Sequence, residues 1–345
     1  MQQKRKMIIG IGISALFLVL ILYNVSFKEL VQTFKEFSAE KLTIIIGIYA
    51  LSLLARTFRW KFLLLSDSKF SLYQLGSTWV IGNLMNAFMP ARAGDIWRAY
   101  EIGSNSKESK MKIFGSVMLE RILDGISICT ILYFCVVSYS NQHWLRNIAN
   151  LSMLLFGGSL AVFFVIVKFN KIDVLCDYFS KLVAKFPQKI HLFLTNIIEK
   201  LCGQFKLFVS GFNVFNSWLY LGLSVFSSFV IWSLEIAITY FVITSFGIKC
   251  PISAAMFVIC FIALGSMIPS SSIFVGPYQY AYILALGIYS IQKSESLAIA
   301  LIHQSILMGA LIVFSLIFAG INFIKIVNSN RTLALKNAEN SPQEV

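Results

Sequence analysis

Long apolar runs separated by short polar segments dominate the sequence, and most of the runs are long enough to cross a membrane. The longest cover residues 7–23, 42–55, 113–137, 151–167, 218–248 and 297–324. A helix needs about 20 apolar residues to cross the hydrocarbon core of a bilayer. The pattern therefore predicts an all-α polytopic membrane protein with about six full transmembrane helices.

Two further apolar runs are interrupted by residues that break helices. The run 75–89 leads into Pro90 and Gly94, and the run 254–268 leads into Pro269, Gly276 and Pro277. Proline removes a backbone donor, and glycine tolerates backbone angles that other residues resist. Non-helical backbone at membrane depth persists only where protein buries it or where it lines a water-filled cavity. Each run is therefore predicted to turn back as a re-entrant broken hairpin. The similar placement of the two breaks indicates an inverted repeat, with chance similarity as the alternative.

The distribution of Lys and Arg orients these elements. If the run 75–90 turns back, segments on one side of the membrane hold 22 of the 29 Lys and Arg, and those on the other side hold six. If that run crosses, two basic loops move to the side that holds fewer Lys and Arg. The positive-inside rule favours the first arrangement, a multi-pass cell-membrane protein with both termini in the cytoplasm. A cleaved signal peptide is the alternative for residues 7–23, but no small-residue cleavage site follows them.

One transmembrane domain is expected over residues 1–325, followed by a disordered cytoplasmic tail, 326–345. Within the domain, residues 168–215 hold seven lysines among apolar residues at roughly helical spacing. Two basic amphipathic helices along the cytoplasmic surface are one interpretation of this connector. A solvated linker is the other.

Composition narrows the functional classes. The chain has 345 residues, is 57% hydrophobic and has a net charge of +13. Because the positive residues lie in short loops, they favour contact with anionic lipid at the cytoplasmic surface over binding to nucleic acid. The sequence shows no Gly-rich phosphate loop, nucleophile–base pair or metal-ligand spacing. We therefore expect no cofactor, no metal and no catalytic residue.

Charged residues within or beside the apolar runs are the candidate binding residues. A charge at the centre of a bilayer costs about 2.5–3.5 kcal/mol on insertion scales, so it needs a partner or a function. A spacing of three places Arg92, Asp95 and Arg98 on one helix face, and a spacing of four does the same for Glu120 and Asp124. The alternatives are ion pairs that only lock helices together and, for Arg98, an anchor at the cytoplasmic interface. The predicted substrate-binding residues are Arg92, Asp95, Arg98, Glu120, Arg121, Asp124, Glu235 and Ser271.

The charges within the spans are unequal. Three acids, Glu120, Asp124 and Glu235, accompany a single base, Arg121. This excess of carboxylate predicts that Arg92 or Arg98 joins them, or that a cationic ligand does.

Two of these stretches resemble motifs of a known family, the lysylphosphatidylglycerol synthase transmembrane region, also called flippase-like membrane proteins. The chain departs from the family in the second hairpin, where an acid and a Gly-rich turn are usual and this sequence has Ser270–Ser272 and Gln279 or Tyr280. The first motif is matched by Pro90, Arg92, Gly94, Asp95, Arg98 and Ala99, and the second by Val117, Glu120, Arg121, Asp124 and Gly125.

In that family this region translocates an aminoacylated phospholipid when it is fused to a C-terminal aminoacyltransferase domain, and stand-alone members handle other lipids, including lipid-linked sugars. The residues after 325 are too few for the transferase. The resemblance thus implies a flippase-like transporter that moves the headgroup of an amphiphilic phospholipid or lipid-linked sugar across the cytoplasmic membrane. The alternatives are a membrane enzyme of lipid or lipid-linked glycan modification and an accessory subunit whose charges are structural.

Overall fold

A computed structural model describes residues 37–64, 70–89, 92–139, 143–169, 188–266 and 276–339, together with Gln32, Lys35 and parts of 172–178. The described residues form helices and no strand, which confirms the predicted all-α fold. Five helices are long and apolar enough to cross a membrane: Ala39–Leu64, Lys110–Ser138, Leu145–Lys168, Trp218–Thr244 and Lys293–Asn322. They correspond to five of the six predicted spans, and the remaining one, 7–23, lies outside the described residues.

The α-helices are numbered here in chain order over the described residues. They are α1 (Leu42–Leu64), α2 (Leu72–Phe88), α3 (Ala93–Ser104), α4 (Lys110–Tyr139), α5 (His143–Lys168), α6 (Gln188–Ser210), α7 (Trp218–Thr244), α8 (Ile252–Gly265), α9 (Pro277–Gly287) and α10 (Lys293–Glu339). Short 3-10 helices, Ala39–Lys41 and Asn213–Asn216, precede α1 and α7.

Helices α1 and α7 run antiparallel. Lys41, next to the start of α1, donates to the carbonyl of Thr244 at the end of α7, 3.1 Å away. Arg59, near the end of α1, donates to the hydroxyl of Ser228 in the first half of α7, also at 3.1 Å. The residues at which α1 and α7 end therefore lie at opposite ends of the helix bundle.

Helices α2 and α3 form a tight antiparallel pair, hairpin 1. Asn86 near the end of α2 contacts Asp95 near the start of α3 through two hydrogen bonds, of 3.0 and 3.1 Å. A Cβ atom added to Gly94 would lie 1.9 Å from the carbonyl oxygen of Gly82, so the two backbones touch. An apolar cluster joins the open end of the hairpin to the end of α1 and the start of α4, and it includes Leu64, Phe70, Leu75, Ile102 and Ile113.

Helices α8 and α9 form hairpin 2. The hydroxyl of Tyr289, just after α9, donates to the hydroxyl of Ser253 at the start of α8, 2.6 Å away. The start and the end of the hairpin therefore lie next to each other. Hairpin 1 follows the end of α1 and hairpin 2 follows the end of α7. Because α1 and α7 are antiparallel, the two hairpins open toward opposite ends of the bundle. The order long helix, hairpin, long helix thus occurs twice in opposite directions, as in an inverted repeat.

Two helices extend beyond the predicted limits. Helix α1 continues to Leu64 instead of ending at residue 55, so Arg56 and Arg59 lie within it. Helix α10 continues to Glu339, and the tail predicted to be disordered is helical up to that residue. Residues 325–339 contain neither proline nor glycine, the two residues that most disfavour a helix interior.

The connector predicted over 168–215 contains one long helix, α6. It packs against α4 so closely that a Cβ atom added to Gly211, just after α6, would lie 2.2 Å from the carbonyl oxygen of Lys112. Its position on the membrane surface stays a prediction.

Large apolar side chains cover the exterior of the bundle, while charged side chains lie inside it. Leu154 on α5 and Phe226 on α7 are largely exposed, whereas Arg59, Arg98 and Glu120 have no more than a trace of exposed surface. Lipid makes this distribution favourable, because apolar groups need no burial in hydrocarbon and charges need partners there.

Candidate functional site: a buried arginine–carboxylate cluster

The break in hairpin 1 is built from Arg92, Gly94 and Asn86. Arg92 has left-handed backbone angles (φ 53, ψ 44) and precedes α3. Gly94 was predicted to break the helix but lies in the first turn of α3, where its missing side chain permits contact with α2. The side chain of Asn86 accepts from the N–H of Asp95, an amide that lacks a partner within the helix. The break therefore directs the side chains of α3 toward α2 and α4.

Glu120 of α4 is the centre of the cluster. Its carboxylate accepts from Arg98 Nη2 at 2.9 Å, from Arg121 Nη2 at 2.7 Å and from the indole nitrogen of Trp79 at 3.1 Å. Arg98 and Glu120 are both fully buried, which shows that the interfacial alternative for Arg98 is wrong. Charge-assisted hydrogen bonds of this kind are the stronger ones in proteins, so Glu120 ties hairpin 1 to α4.

Asp95 is shared among three arginines. Its carboxylate lies 3.5 Å from Arg92 Nε, 3.6 Å from Arg98 Nη1 and 3.6 Å from Arg121 Nε. Arg121 also reaches Asp124 at 3.4 Å, the pairing expected from their spacing of three. The residues predicted on α3 and α4 thus come together in one place.

Helix α1 contributes Arg59, which sequence reasoning placed outside the site. Its guanidinium donates to Asp124 at 2.7 Å and lies 3.5 Å from Glu120. The apolar run 42–55 ends before Arg59, which predicts a flanking cytoplasmic position for this residue. The signal was nevertheless present in the sequence, since four of the five residues from Trp60 to Leu64 are apolar, with Lys61 as the exception.

Arg56, one turn before Arg59, connects the cluster to α7. It donates to Glu235 at 2.8 Å, and Ser52 donates to the same carboxylate oxygen at 2.8 Å. Glu235 was predicted as a site residue, and the structure places it at the edge of the cluster, paired through α1.

Tryptophan rings cover the arginines on their apolar side. The guanidinium carbon of Arg98 lies 4.1 Å from the ring centroid of Trp60 and 5.8 Å from that of Trp79. That of Arg56 lies 5.3 Å from the centroid of Trp79. Such cation–π contacts favour the charged form of the side chain and separate it from the surrounding apolar residues.

The cluster has an excess of positive charge. Arg98 joins the acids of α4, as one branch of the prediction has it, and Arg56 and Arg59 join as well. In the described part of the chain the cluster contains five arginines and four carboxylates, so no cationic ligand is needed to balance the acids. Several guanidinium nitrogens are buried without a hydrogen-bond partner there: Nε and Nη2 of Arg59, Nε and Nη1 of Arg98, and Nε of Arg121. An anion, rather than a cation, would balance the charge and accept from these donors.

One side of the cluster is open. The side chain of Arg92 is 54% exposed and that of Arg121 21%, whereas Arg59 and Arg98 have none of their side-chain surface exposed. A ligand that approaches at Arg92 and Arg121 would therefore meet the cluster without any helix having to separate.

The remaining predicted residues belong to hairpin 2 or lie outside the residues that the structure describes. Gly276 has a positive φ of 97 and precedes Pro277, at which α9 begins. Three of the predicted positions, Ser271, Pro90 and Pro269, fall outside the described residues.

Comparison with known proteins gives a family match along most of the chain. The model of the family described as lysylphosphatidylglycerol synthase TM region matches residues 7–317. UPF0104 membrane protein MJ1078 of Methanocaldococcus jannaschii is 25% identical over 233 residues, which cover 68% of this chain and 92% of that protein. UPF0104 membrane protein PH1989 of Pyrococcus horikoshii is 22% identical over 320 residues, which cover 88% of this chain and 92% of that protein. No solved structure matches the chain.

Proposed function

Because the chain belongs to the lysylphosphatidylglycerol synthase TM region family, we propose that it is a flippase-like transporter that moves the anionic headgroup of a phospholipid or lipid-linked sugar across the cell membrane. The buried arginine–carboxylate cluster would hold the phosphate of that headgroup. The acyl chains would remain in the lipid beside the bundle.

The observation behind this proposal is the unbalanced charge of the cluster. A lipid phosphate brings one negative charge and oxygens that accept from the planar fork of a guanidinium. The cluster offers one positive charge in excess. Among the described residues, some buried N–H groups of Arg59, Arg98 and Arg121 make no hydrogen bond and approach carboxylate oxygens no closer than 3.5–3.6 Å. A phosphate diester therefore matches both the charge and the hydrogen-bonding needs of the cluster.

The exposure of the arginines supports a path for the headgroup. Arg92, at the break of hairpin 1, is the most exposed member and would meet the phosphate first. Arg121 is partly exposed and contacts both Asp95 and Glu120, so it links the open side to the buried side. Exchange of the phosphate from one arginine to the next would keep its charge paired throughout.

The alternative of a membrane enzyme is less well supported. A general base needs a carboxylate that can accept a proton from the substrate. Glu120 accepts from two guanidinium groups and an indole, and Asp95 lies beside three guanidinium groups. Both carboxylates are therefore already engaged as partners of arginines.

Reconstitution tests the proposal. Purified protein in liposomes would be given fluorescent lipids with anionic or zwitterionic phosphate headgroups, and the fraction protected from an impermeant reductant would be followed in time. Arg92→Gln should slow translocation about tenfold or more, the effect of losing one charge-assisted hydrogen bond of about 1.5–3 kcal/mol. Arg146→Gln, which changes an exposed arginine on α5 outside the cluster, is the matched control and should translocate normally.

Two results would contradict the proposal. One is the absence of protein-dependent translocation for every phosphate lipid tested. The other is equal translocation by the Arg92→Gln and Arg146→Gln variants, which would separate the cluster from transport and favour the accessory-subunit alternative.

A further inference from the structure

Helix α3 buries one of its faces in the protein and exposes the other. Asp95, on the buried face, belongs to the arginine–carboxylate cluster. The exposed face carries Arg92, Ile96, Tyr100 and Ser104, which follow one another at intervals of four residues and so form one stripe along the helix. Ile96 is 59% exposed and Tyr100 56%. The stripe therefore begins at the open side of the cluster and runs from there toward the open end of hairpin 1.

Lys110 lies beside the far end of this stripe. Its ammonium nitrogen is 3.9 Å from the ring centroid of Tyr100, which is a cation–π contact. Lys110 is the first residue of α4, and its backbone packs on α3: a Cβ atom added to Gly103 would lie 2.9 Å from the Cα atom of Lys110. The close approach of the two backbones thus places the lysine next to the stripe.

Lys110 is exposed and has no ion-pair partner among the described residues. The acids nearest to it in sequence are engaged elsewhere. Glu108 pairs with Lys112 at 2.9 Å, and Glu101 accepts from Asn105 at 2.9 Å. An ammonium group has three N–H donors, and those directed away from the aromatic ring are available to an anion.

The stripe has the polarity of a phospholipid. Tyr100 follows Arg92 by eight residues, so about 12 Å of helix separates the two positions. Between the cations of Lys110 and Arg92 the stripe offers the ring of Tyr100 and the side chain of Ile96. Lysine binds phosphate as a point charge, and tyrosine is enriched where acyl chains meet headgroups. A phospholipid with its phosphate at Lys110 and an acyl chain along Tyr100 and Ile96 would match the stripe in charge and in polarity.

The corresponding place in the second half of the chain is closed. Tyr282 follows Gly276 by six residues, as Tyr100 follows Gly94. Unlike Tyr100, Tyr282 is fully buried, and its hydroxyl is hydrogen-bonded to His303 of α10. Within the described part of the chain, this tyrosine is therefore accessible only at the end of the bundle where hairpin 1 opens.

We propose that Lys110 and Tyr100 form a loading site for an anionic phospholipid of the cytoplasmic leaflet, and that the phosphate passes from there along α3 to Arg92; this inference rests on the proposed function. The ammonium of Lys110 binds the phosphate, and one acyl chain lies against Tyr100 and Ile96. Binding at this site and binding in the arginine cluster are two separate steps. A zwitterionic lipid binds more weakly at the first step, because its own cationic group is repelled by the ammonium.

The dependence of translocation on lipid concentration tests the site. In phosphatidylcholine liposomes, Lys110→Gln should raise the fraction of fluorescent phosphatidylglycerol that gives half-maximal translocation about fivefold, which is about 1 kcal/mol, and leave the maximal rate unchanged. Lys107→Gln, which changes an exposed lysine between α3 and α4, is the matched control and should leave both values unchanged. A lower maximal rate at an unchanged half-maximal fraction in Lys110→Gln, or equal effects of the two variants, would overturn the proposal.

Lipid contact can also be measured without transport. A benzophenone amino acid in place of Ile96 forms covalent adducts with its neighbours on irradiation, and mass spectrometry identifies them in nanodiscs of phosphatidylglycerol and phosphatidylcholine. The same amino acid in place of Leu154, an exposed position on α5, reports the bulk lipid. We expect phosphatidylglycerol to be enriched several-fold at position 96 over position 154, and Lys110→Gln to remove the enrichment.

The outcomes distinguish this inference from the proposed function. The same lipid proportions at both positions, or adducts of position 96 with the protein itself, would overturn the loading site and leave the proposed function intact. Enrichment at position 96 in a protein that translocates no lipid would refute the proposed function and retain a site that binds anionic lipid.

Discussion

Arg98 and Glu120 form an ion pair with 2.9 Å between Nη2 and Oε2, and neither side chain has any exposed surface. The pair joins α3 of hairpin 1 to α4, and Trp60 covers the guanidinium from the opposite side. Removing two charges from water is costly, so such a pair persists only while both partners are present. The pair therefore fixes the position of hairpin 1 and, with it, the geometry of the whole cluster.

Arg98→Ala should lower the free energy of unfolding by about 3–5 kcal/mol, because it leaves Glu120 with one fewer compensating charge in a buried place. Arg98→Ala combined with Glu120→Gln should cost clearly less than the sum of the two single changes, since no carboxylate is then left uncompensated. Thermal unfolding in detergent measures both. Additive losses would show that the two side chains do not act as a pair.

Arg98→Lys should leave the protein folded and lower lipid translocation about tenfold or more. A lysine keeps the charge but has a single nitrogen, which cannot reach Glu120 and Asp95 together. It also lacks the planar guanidinium that stacks on the ring of Trp60. Arg146→Lys, at an exposed position, is the matched control. Full translocation by Arg98→Lys in the liposome assay would remove the guanidinium fork from the mechanism.

Gly94→Ala should prevent hairpin 1 from closing, because the added Cβ atom would lie 1.9 Å from the backbone oxygen of Gly82. The expected result is a large loss of folded protein in size-exclusion chromatography. Gly309→Ala is the comparison, since a Cβ atom there meets nothing within 4 Å. Alanine at that helical position should be neutral or stabilising by up to about 1 kcal/mol. Equal yields from the two variants would contradict the close packing of α2 on α3.

The predicted orientation can be tested with an impermeant thiol reagent. In a Cys176→Ser/Cys202→Ser background, a cysteine introduced as Ser104→Cys, at the end of α3, should react only from the cytoplasm. The native Cys250, between α7 and α8 at the other end of the bundle, should react only from outside. Burial raises the pKa of the Cys250 thiol, so less of it is thiolate at neutral pH and its labelling should speed up as the pH rises. Labelling of both positions from one side would refute the two opposed hairpins.

Much of the fold follows from the sequence because membrane spans depend on the length and polarity of a run, which are local properties. The two hairpins followed from Pro and Gly within apolar sequence combined with the distribution of Lys and Arg. The 22 Lys and Arg on the cytoplasmic side of the predicted arrangement include Arg56, Arg59 and Arg98, which the structure places inside the protein. Removing them leaves nineteen Lys and Arg on the predicted cytoplasmic side against six, so the orientation stays as predicted.

The cluster was only half predictable. Arg92, Asp95 and Arg98 lie in one motif and Glu120, Arg121 and Asp124 in another, so spacing alone groups them. Arg56 and Arg59 belong to a helix without a recognisable motif, and two arginines after an apolar run predict the end of a transmembrane span. The sign of the net charge depended on these two residues, and only the packing of α1 against α4 and α7 reveals it.

The antiparallel placement of the two halves has a consequence for how one chain can serve both leaflets. A rearrangement that loosens hairpin 1 exposes the interior at one end of the bundle, and the equivalent rearrangement of hairpin 2 exposes it at the other. Two alternating states can therefore arise when the halves exchange conformations, without any new type of contact. For the proposed transporter, the similar architecture of the halves would keep two such states close in energy, and their different side chains would determine which ligand shifts the balance.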